Sequence, residues 1–167
     1  MTAWLPAYIG IGSNLDDPQQ QVRGAFQALA SLPESLLVAR SRLYRTRPFG
    51  PVQQGDFINA VAGVLTQMAP EKLLDALRNL ETAQGRRRAE RWGPRTLDLD
   101  LLVFADRTIK TESLEVPHPG IAQRGFVLAP LADVAPDLLV PGVGRVAQLL
   151  HDLPDTGIEA IVERSDE

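Results

Sequence analysis

Two aspartates one residue apart, Asp98 and Asp100, stand directly behind a stretch holding five arginines: Arg86, Arg87, Arg88, Arg91 and Arg95. From Leu97 to Leu101 the chain alternates Leu and Asp. Successive side chains on a strand point to opposite faces, so both carboxylates fall on one face and the leucines on the other. That places two oxygen donors roughly 6.5–7 Å apart at the backbone of a rigid element. Mg²⁺ takes one or two carboxylates and completes its shell with waters and substrate phosphates. Guanidinium groups just upstream suit the phosphates themselves. The chemistry indicated is metal-assisted handling of a polyphosphate. A bare Asp-x-Asp can also be the wet face of an antiparallel sheet, but here five arginines face only Glu90 within ten residues.

Other residues admit two readings each. Glu81 falls on the apolar stripe of a helix marked by Leu73, Leu74 and Leu77. A carboxylate there must be paired or meet a ligand, unless it reaches solvent at the helix end. Phe57 and Asn59 share a strand face, an aromatic and an amide suited to a flat heterocycle with hydrogen-bonding edges. From spacing alone, Phe57 in the core and Asn59 capping an edge is the better explanation. His118, in the turn Pro117-His118-Pro119-Gly120, either meets a phosphate or decorates the surface. Arg124 and Phe126 follow it with a cation and an aromatic face. Gly10-x-Gly12 lacks the third glycine of a dinucleotide fingerprint, and no Gly-x-x-x-x-Gly-Lys-Ser/Thr loop occurs.

The elements that must position these residues are legible. Ala7–Gly12 reads as a strand. Asp17-Pro18 gives an N-cap and first helical residue, followed by Val22, Ala25, Phe26, Leu29 and Leu32 at helical spacing, with Pro33 as the stop. Leu36–Thr46 reads as one strand, residues 47–56 as a loop, and Phe57–Thr66 as a strand. A helix from Pro70 closes at Gly85, and the Asp-bearing strand follows. The order is β-α-β-β-α-β, which predicts an α+β fold with a ferredoxin-like core. The sheet is expected to be mainly antiparallel and sandwiched in three αβα layers. Beyond Phe104 the expectation is a short hairpin, a helix or turn over Arg124–Val134 interrupted at Pro130, a helix over Val146–Leu153, and a tail that frays from Pro154.

Composition narrows the class. The 167 residues suit one domain, taken as 1–167 with 154–167 frayed. There are no cysteines, so disulfides and thiolate metal sites are excluded. Neither a signal peptide nor a membrane span is evident, and a cytoplasmic protein is expected. A net charge of −4 argues against a general nucleic-acid surface. No feature demands more than a monomer.

Together, RWGPRTLDLDLLVF (Arg91–Phe104), YRTRPFGP (Tyr44–Pro51), DFINAV (Asp56–Val61), the Glu81–Gly85 helix end, VPHP (Val116–Pro119) and RGFVLAPL (Arg124–Leu131) resemble the 6-hydroxymethyl-7,8-dihydropterin pyrophosphokinases of folate biosynthesis. The resemblance implies transfer of a diphosphate from ATP to the pterin hydroxymethyl group, leaving AMP. It implies two Mg²⁺ ions on Asp98 and Asp100. By the same likeness Arg86, Arg88 and Arg95 act with these aspartates in catalysis. The pterin lies among Thr46, Phe49, Phe57, Asn59, Trp92 and Phe126. ATP meets Glu81, Arg88, Trp92, Arg95, His118 and Arg124. The chain departs from many members in having Phe57 for a tyrosine, and from some in having Pro119 after the histidine. Two other readings stand beside this one: a metal-dependent nucleotide phosphohydrolase using the same aspartates, and a non-catalytic ferredoxin-like module binding RNA through the arginine loop.

Overall fold

In the computed structural model, residues 3–15, 17–46, 55–84, 97–154 and 157–161 are described. The expected order is present as β1 (Leu5–Ser13), α1 (Pro18–Ala30), β2 (Ser35–Arg40), β3 (Tyr44–Thr46), β4 (Phe57–Thr66), α2 (Pro70–Ala83) and β5 (Asp98–Phe104). Then come β6 (Ile109–Lys110), β7 (Glu115–Val116), a 3₁₀ turn (Ile121–Gln123), α3 (Gly125–Val134), β8 (Leu139–Val140), β9 (Gly144–Arg145), α4 (Val146–Asp152) and β10 (Glu159–Ala160). The main sheet runs β10-β3-β4-β1-β5, with β2 also on β4, and every pairing is antiparallel. This is the ferredoxin-like arrangement, in which each helical crossover skips over a neighbouring strand.

The period of each helix explains what it buries. On α1, Val22, Ala25, Phe26 and Leu29 form one buried stripe, and on α2 Pro70, Leu73, Leu77 and Glu81 form another. These stripes pack with Ala7, Ile9, Ile11, Leu99 and Leu101 in the larger core. The opposite sheet face carries a second core, in which Val61, Leu102 and Val103 meet Leu128 and Leu131 of α3 and Val146 of α4. Three layers result.

The second helical layer covers only part of its face. On β5 the side chains alternate up to the exposed Asp100, and every residue from Leu101 to Phe104 is buried. On β4 alternation over Phe57–Ala60 likewise gives way to continuous burial from Val61 to Val64. A strand covered on both faces reads as an apolar run, and one covered on a single face alternates. The switch on both strands marks where the α3–α4 layer stops.

Four local expectations are corrected. Asp17 stands at the α1 N-cap in the left-handed region (φ 59°) without a side-chain capping bond; its carbonyl accepts from Gln21 N instead. The stretch Leu36–Thr46 is two strands. At the break, Ser41 exchanges bonds with Val61, whose amide donates to Ser41 Oγ at 2.8 Å, so a side chain takes a backbone's place. Helix α3 continues through Pro130, because burial of Leu128 and Leu131 outweighs one missing amide. Part of the tail is ordered: Glu159 and Ala160 pair with Arg45 and Tyr44, and Ile161 N donates to Leu43 O. Gly85 lies outside the described residues.

A polar cluster ties β3 to α3. Asp133 accepts Arg42 Nε at 3.1 Å, Arg42 Nη2 at 3.0 Å and the Arg42 backbone amide at 3.0 Å. The Tyr44 hydroxyl lies 2.9 Å from both carboxylate oxygens. Burial, and then the bond to Asp133, push the Tyr44 phenol up to about 12. Burial would raise the Asp133 carboxyl, but the Arg42 and Tyr44 hydrogen bonds outweigh it and hold the group below the usual carboxylate range. The native state therefore keeps the Tyr44 proton that the unfolded chain releases near 10, so this contribution to stability is complete below about pH 10 and is lost as pH rises through about 12. The Asp133 contribution is present above the ordinary carboxylate value and is lost as pH falls through the lowered one. An ultraviolet difference titration of wild type against Tyr44→Phe should show one phenol ionising near 12; ionisation near 10 would contradict the buried pairing.

Candidate active site

Register assembles the site. In one row across four strands, Tyr44 pairs with Asn59, Asn59 with Gly12, and Gly12 with Asp98. The next row toward the covered end holds Val61, Gly10 and Asp100. On the open side Thr46 pairs with Phe57. Side chains opposite one another in a ladder share a face, so Thr46, Phe57, Asn59, Asp98 and Asp100 lie together where the second helical layer is missing. Two strand spacings, about 9.5 Å, separate the Asn59 and Asp98 backbones.

Gly10 and Gly12 make the floor between them. A Cβ on Gly12 would stand 2.9 Å from Asn59 Oδ1, so the Asn59 amide lies over β1 only because position 12 has no side chain. A Cβ on Gly10 would press on Leu102 at 3.3 Å. The result is a bare strip of backbone flanked by an amide on one side and two carboxylates on the other. Next to it, Asn14 is buried and its Nδ2 donates to Gly55 O at 3.4 Å, joining the end of β1 to the approach to β4.

Thr46 gives this face a further property. Its hydroxyl is buried, with the residue only 6% exposed, and Oγ1 has no hydrogen-bond partner among the described residues. A buried hydroxyl left unmatched costs free energy. Thr46 pairs with Phe57 in the ladder.

Glu81 is 5% exposed, which rules out the solvent-reaching alternative. Its Oε2 accepts the Leu99 amide at 2.8 Å. Among the described residues β5 pairs with β1 alone, and Leu99 lies between the two aspartates, so one carboxylate oxygen satisfies an amide on the strand's other side. Glu81 thus holds the strand that bears Asp98 and Asp100. Further along β5, the His118 amide donates to Leu102 O at 2.9 Å and fixes the 116–119 turn beside that strand. His118 Nδ1 lies 2.8 Å from Pro119 O.

Helix α3 begins with Arg124 at its N-cap, and the Arg124 guanidinium lies over the Phe126 ring at 5.8 Å from its centroid. A cation over an aromatic face is a favourable pairing. Phe126 belongs to the layer that packs on the same sheet face as the aspartates. Phe49, Arg86, Arg88, Trp92 and Arg95, together with Arg87 and Arg91, lie outside the described residues. Sequence reasoning missed the Gly12 contact with Asn59 and the Arg42–Tyr44–Asp133 cluster. The glycine's proximity to a strand end was its one signal; the cluster joins residues 91 positions apart and left none.

Among the described residues no group of three or more His, Asp or Glu side chains could hold a metal ion. Two carboxylates on one face remain compatible with Mg²⁺, whose shell is otherwise filled by water and phosphate. No helix among the described residues is long and apolar enough to cross a membrane.

Comparison with known proteins agrees with this architecture. Residues 8–136 match the family described as 7,8-dihydro-6-hydroxymethylpterin-pyrophosphokinase. The 2-amino-4-hydroxy-6-hydroxymethyldihydropteridine pyrophosphokinase of Pseudomonas aeruginosa is 48% identical over 154 residues, which cover 92% of this chain and 95% of that protein. The Haemophilus influenzae protein of the same name is 42% identical over 151 residues, covering 90% and 94%. Among solved structures, wild-type Plasmodium falciparum HPPK-DHPS with pteroate superposes with a TM-score of 0.72 at 14% identity. That match covers 90% of this chain and 42% of the other, so the chain spans less than half of that protein, and the likeness is one of fold.

The Glu81–Leu99 bond predicts that Glu81→Ala strands a buried amide and lowers unfolding free energy by about 1–3 kcal/mol, with Glu81→Gln losing less because it keeps an acceptor. Urea titration of both variants measures this; equal stability of Glu81→Ala and wild type would refute the role.

Proposed function

The chain belongs to the 7,8-dihydro-6-hydroxymethylpterin-pyrophosphokinase family, and from that premise we propose how its own residues divide the work. The enzyme transfers diphosphate from ATP to 6-hydroxymethyl-7,8-dihydropterin in folate biosynthesis. The hydroxymethyl oxygen bonds to the β-phosphorus, the bond from that phosphorus to the α,β-bridging oxygen breaks, AMP departs, and the hydroxyl proton is released. The phosphohydrolase and RNA-module readings find no support among these relatives.

The observation that carries the residue assignment is the row Tyr44–Asn59–Gly12–Asp98. A bicyclic pterin laid across the glycine strip would present its hydrogen-bonding edge to Asn59 and Thr46 and its hydroxymethyl group toward Asp98 and Asp100. Phe57 from the sheet and Phe126 from α3 would enclose its two faces, with Phe49 and Trp92 completing the enclosure.

At the other end Asp98 and Asp100 would hold Mg²⁺, taken as two ions bound with ATP. When bound, this metal would neutralise the phosphates and lower the charge barrier to attack. The arginines 86, 88 and 95 would stabilise charge accumulating on the departing AMP oxygen. His118, Arg124 and Arg88 would bind the nucleotide, and Glu81 would act chiefly by fixing β5. Positioning and charge neutralisation suffice for phosphoryl-type transfer, without a covalent enzyme intermediate. The protein would work as a monomer on small molecules in the cytoplasm, and its net negative charge supports a site for small molecules over a nucleic-acid surface.

Two outcomes test the assignment, read as AMP formed in step with pterin diphosphate from ATP, Mg²⁺ and the dihydropterin. Asp98→Ala and Asp100→Ala should each lower turnover by about 10²–10³-fold with the fold intact; near-wild-type turnover in either would remove the metal assignment. Thr46→Val should raise the pterin KM about three- to tenfold, the scale of one neutral hydrogen bond, with the ATP KM unmoved.

A further inference from the structure

We propose that the Arg42–Tyr44–Asp133 cluster is a positioning device for the pterin, holding α3 so that Phe126 stands at a fixed height over the sheet. The inference rests on the pterin reading of the open face given above.

Each partner's place supports this. Tyr44 opens β3 and is in register with Asn59, and Thr46, two residues on, is in register with Phe57. Asp133 sits at the far end of α3 from Phe126. Seven residues separate them, two helical turns, so both project from the same side of the helix about 10.5 Å apart along its axis. The side of α3 that the cluster draws against β3 is therefore the side that carries the aromatic ring.

The apolar contacts of α3 do not by themselves fix that height. Leu128 and Leu131 are fully buried against Val61 and Leu102, but hydrophobic burial is non-directional. Hydrogen bonds to an ionised carboxylate are short and directional, and a guanidinium meets a carboxylate as a fork. Asp133 receives Arg42 Nε, Arg42 Nη2 and the Arg42 backbone amide, and the Tyr44 hydroxyl approaches both of its oxygens. Arg42 Nη2 also donates to Tyr44 Oη at 2.9 Å, and the Arg42 guanidinium lies 5.5 Å from the Tyr44 ring centroid, closing the cluster on itself. The Asp133 side chain is 18% exposed and that of Arg42 64%. An exposed ion pair alone adds little to stability. The geometric consequence is larger: the Arg42 backbone amide is itself a partner, so the helix is fastened to the chain just before β3.

Preorganisation of this kind favours the ligand that spans the two elements. The pterin would span β4 and α3 through Phe57 and Phe126. Losing the cluster should therefore weaken the pterin and spare the nucleotide.

Isothermal titration calorimetry with 6-hydroxymethylpterin, in the presence of Mg²⁺ and a non-hydrolysable ATP analogue, tests this alongside titration of the analogue alone. Asp133→Ala should raise the pterin Kd about tenfold and leave the analogue's Kd within about twofold. Tyr44→Phe, which keeps the Arg42–Asp133 pair, should raise the pterin Kd by a smaller factor, and it carries the test if Asp133→Ala does not fold. Asn59→Ala is the control on the site. If Asn59→Ala weakens the pterin and the cluster variants do not, the positioning role is overturned. Equal weakening of pterin and nucleotide, or a lowered Tm with unchanged pterin affinity, overturns it too. If Asn59→Ala leaves the pterin affinity intact, the reading of the open face falls and the positioning role falls with it.

Discussion

The sheet is covered on one face and incompletely on the other, and the candidate site lies where that cover is missing. α1 and α2 close the first face with a continuous apolar core. The α3–α4 layer closes the second only from Val61 and Leu102 onward. Had that layer extended one row further, Asp98, Asp100 and Asn59 would be buried carboxylates and an amide needing partners. Because it stops, polar groups remain on a rigid, hydrogen-bonded sheet. Their spacing is fixed by strand geometry instead of by loops.

That platform ends in an edge strand, and edges carry unpaired backbone groups. Among the described residues β5 is paired by β1 on one side alone. Its outer side is served by two groups from distant parts of the chain: the Glu81 carboxylate at the Leu99 amide and the His118 amide at the Leu102 carbonyl. An acidic residue on the inner stripe of α2 is thus consistent with a stable fold, since its partner is backbone. The strand that must present two like charges is held on both sides.

Much of this was readable from residue order. Alternation over Leu97–Leu101 places both aspartates on one face, and the apolar stripes of α1 and α2 identify the core-facing sides. What escaped depends on three-dimensional partners. The division of Leu36–Thr46 arises because Ser41 substitutes a hydroxyl in the ladder with Val61, and its composition still reads as a strand. Pro130 is a helix breaker by local chemistry, and only burial of its neighbours keeps α3 whole. The tail from Pro154 is mostly polar and its Ile158 and Ile161 are too few to mark an element by periodicity, yet residues 159–160 find an open edge at β3 and Ile161 packs on the core. The face containing Asn59 needed register to be recognised: Phe57 and Asn59 alone are ambiguous, and they become a candidate site only when Gly12 and Asp98 stand in the same row.

The bare position at Gly12 bears on inhibitor resistance. Every amino acid that could replace it adds a Cβ, which would stand 2.9 Å from the Asn59 amide oxygen. On the proposed reading that amide recognises the substrate. A compound drawing its affinity from the half-buried β1 backbone at this point would press on atoms common to all residues. Mutation there would escape the compound only by disturbing the group on which the cell's own folate precursor depends.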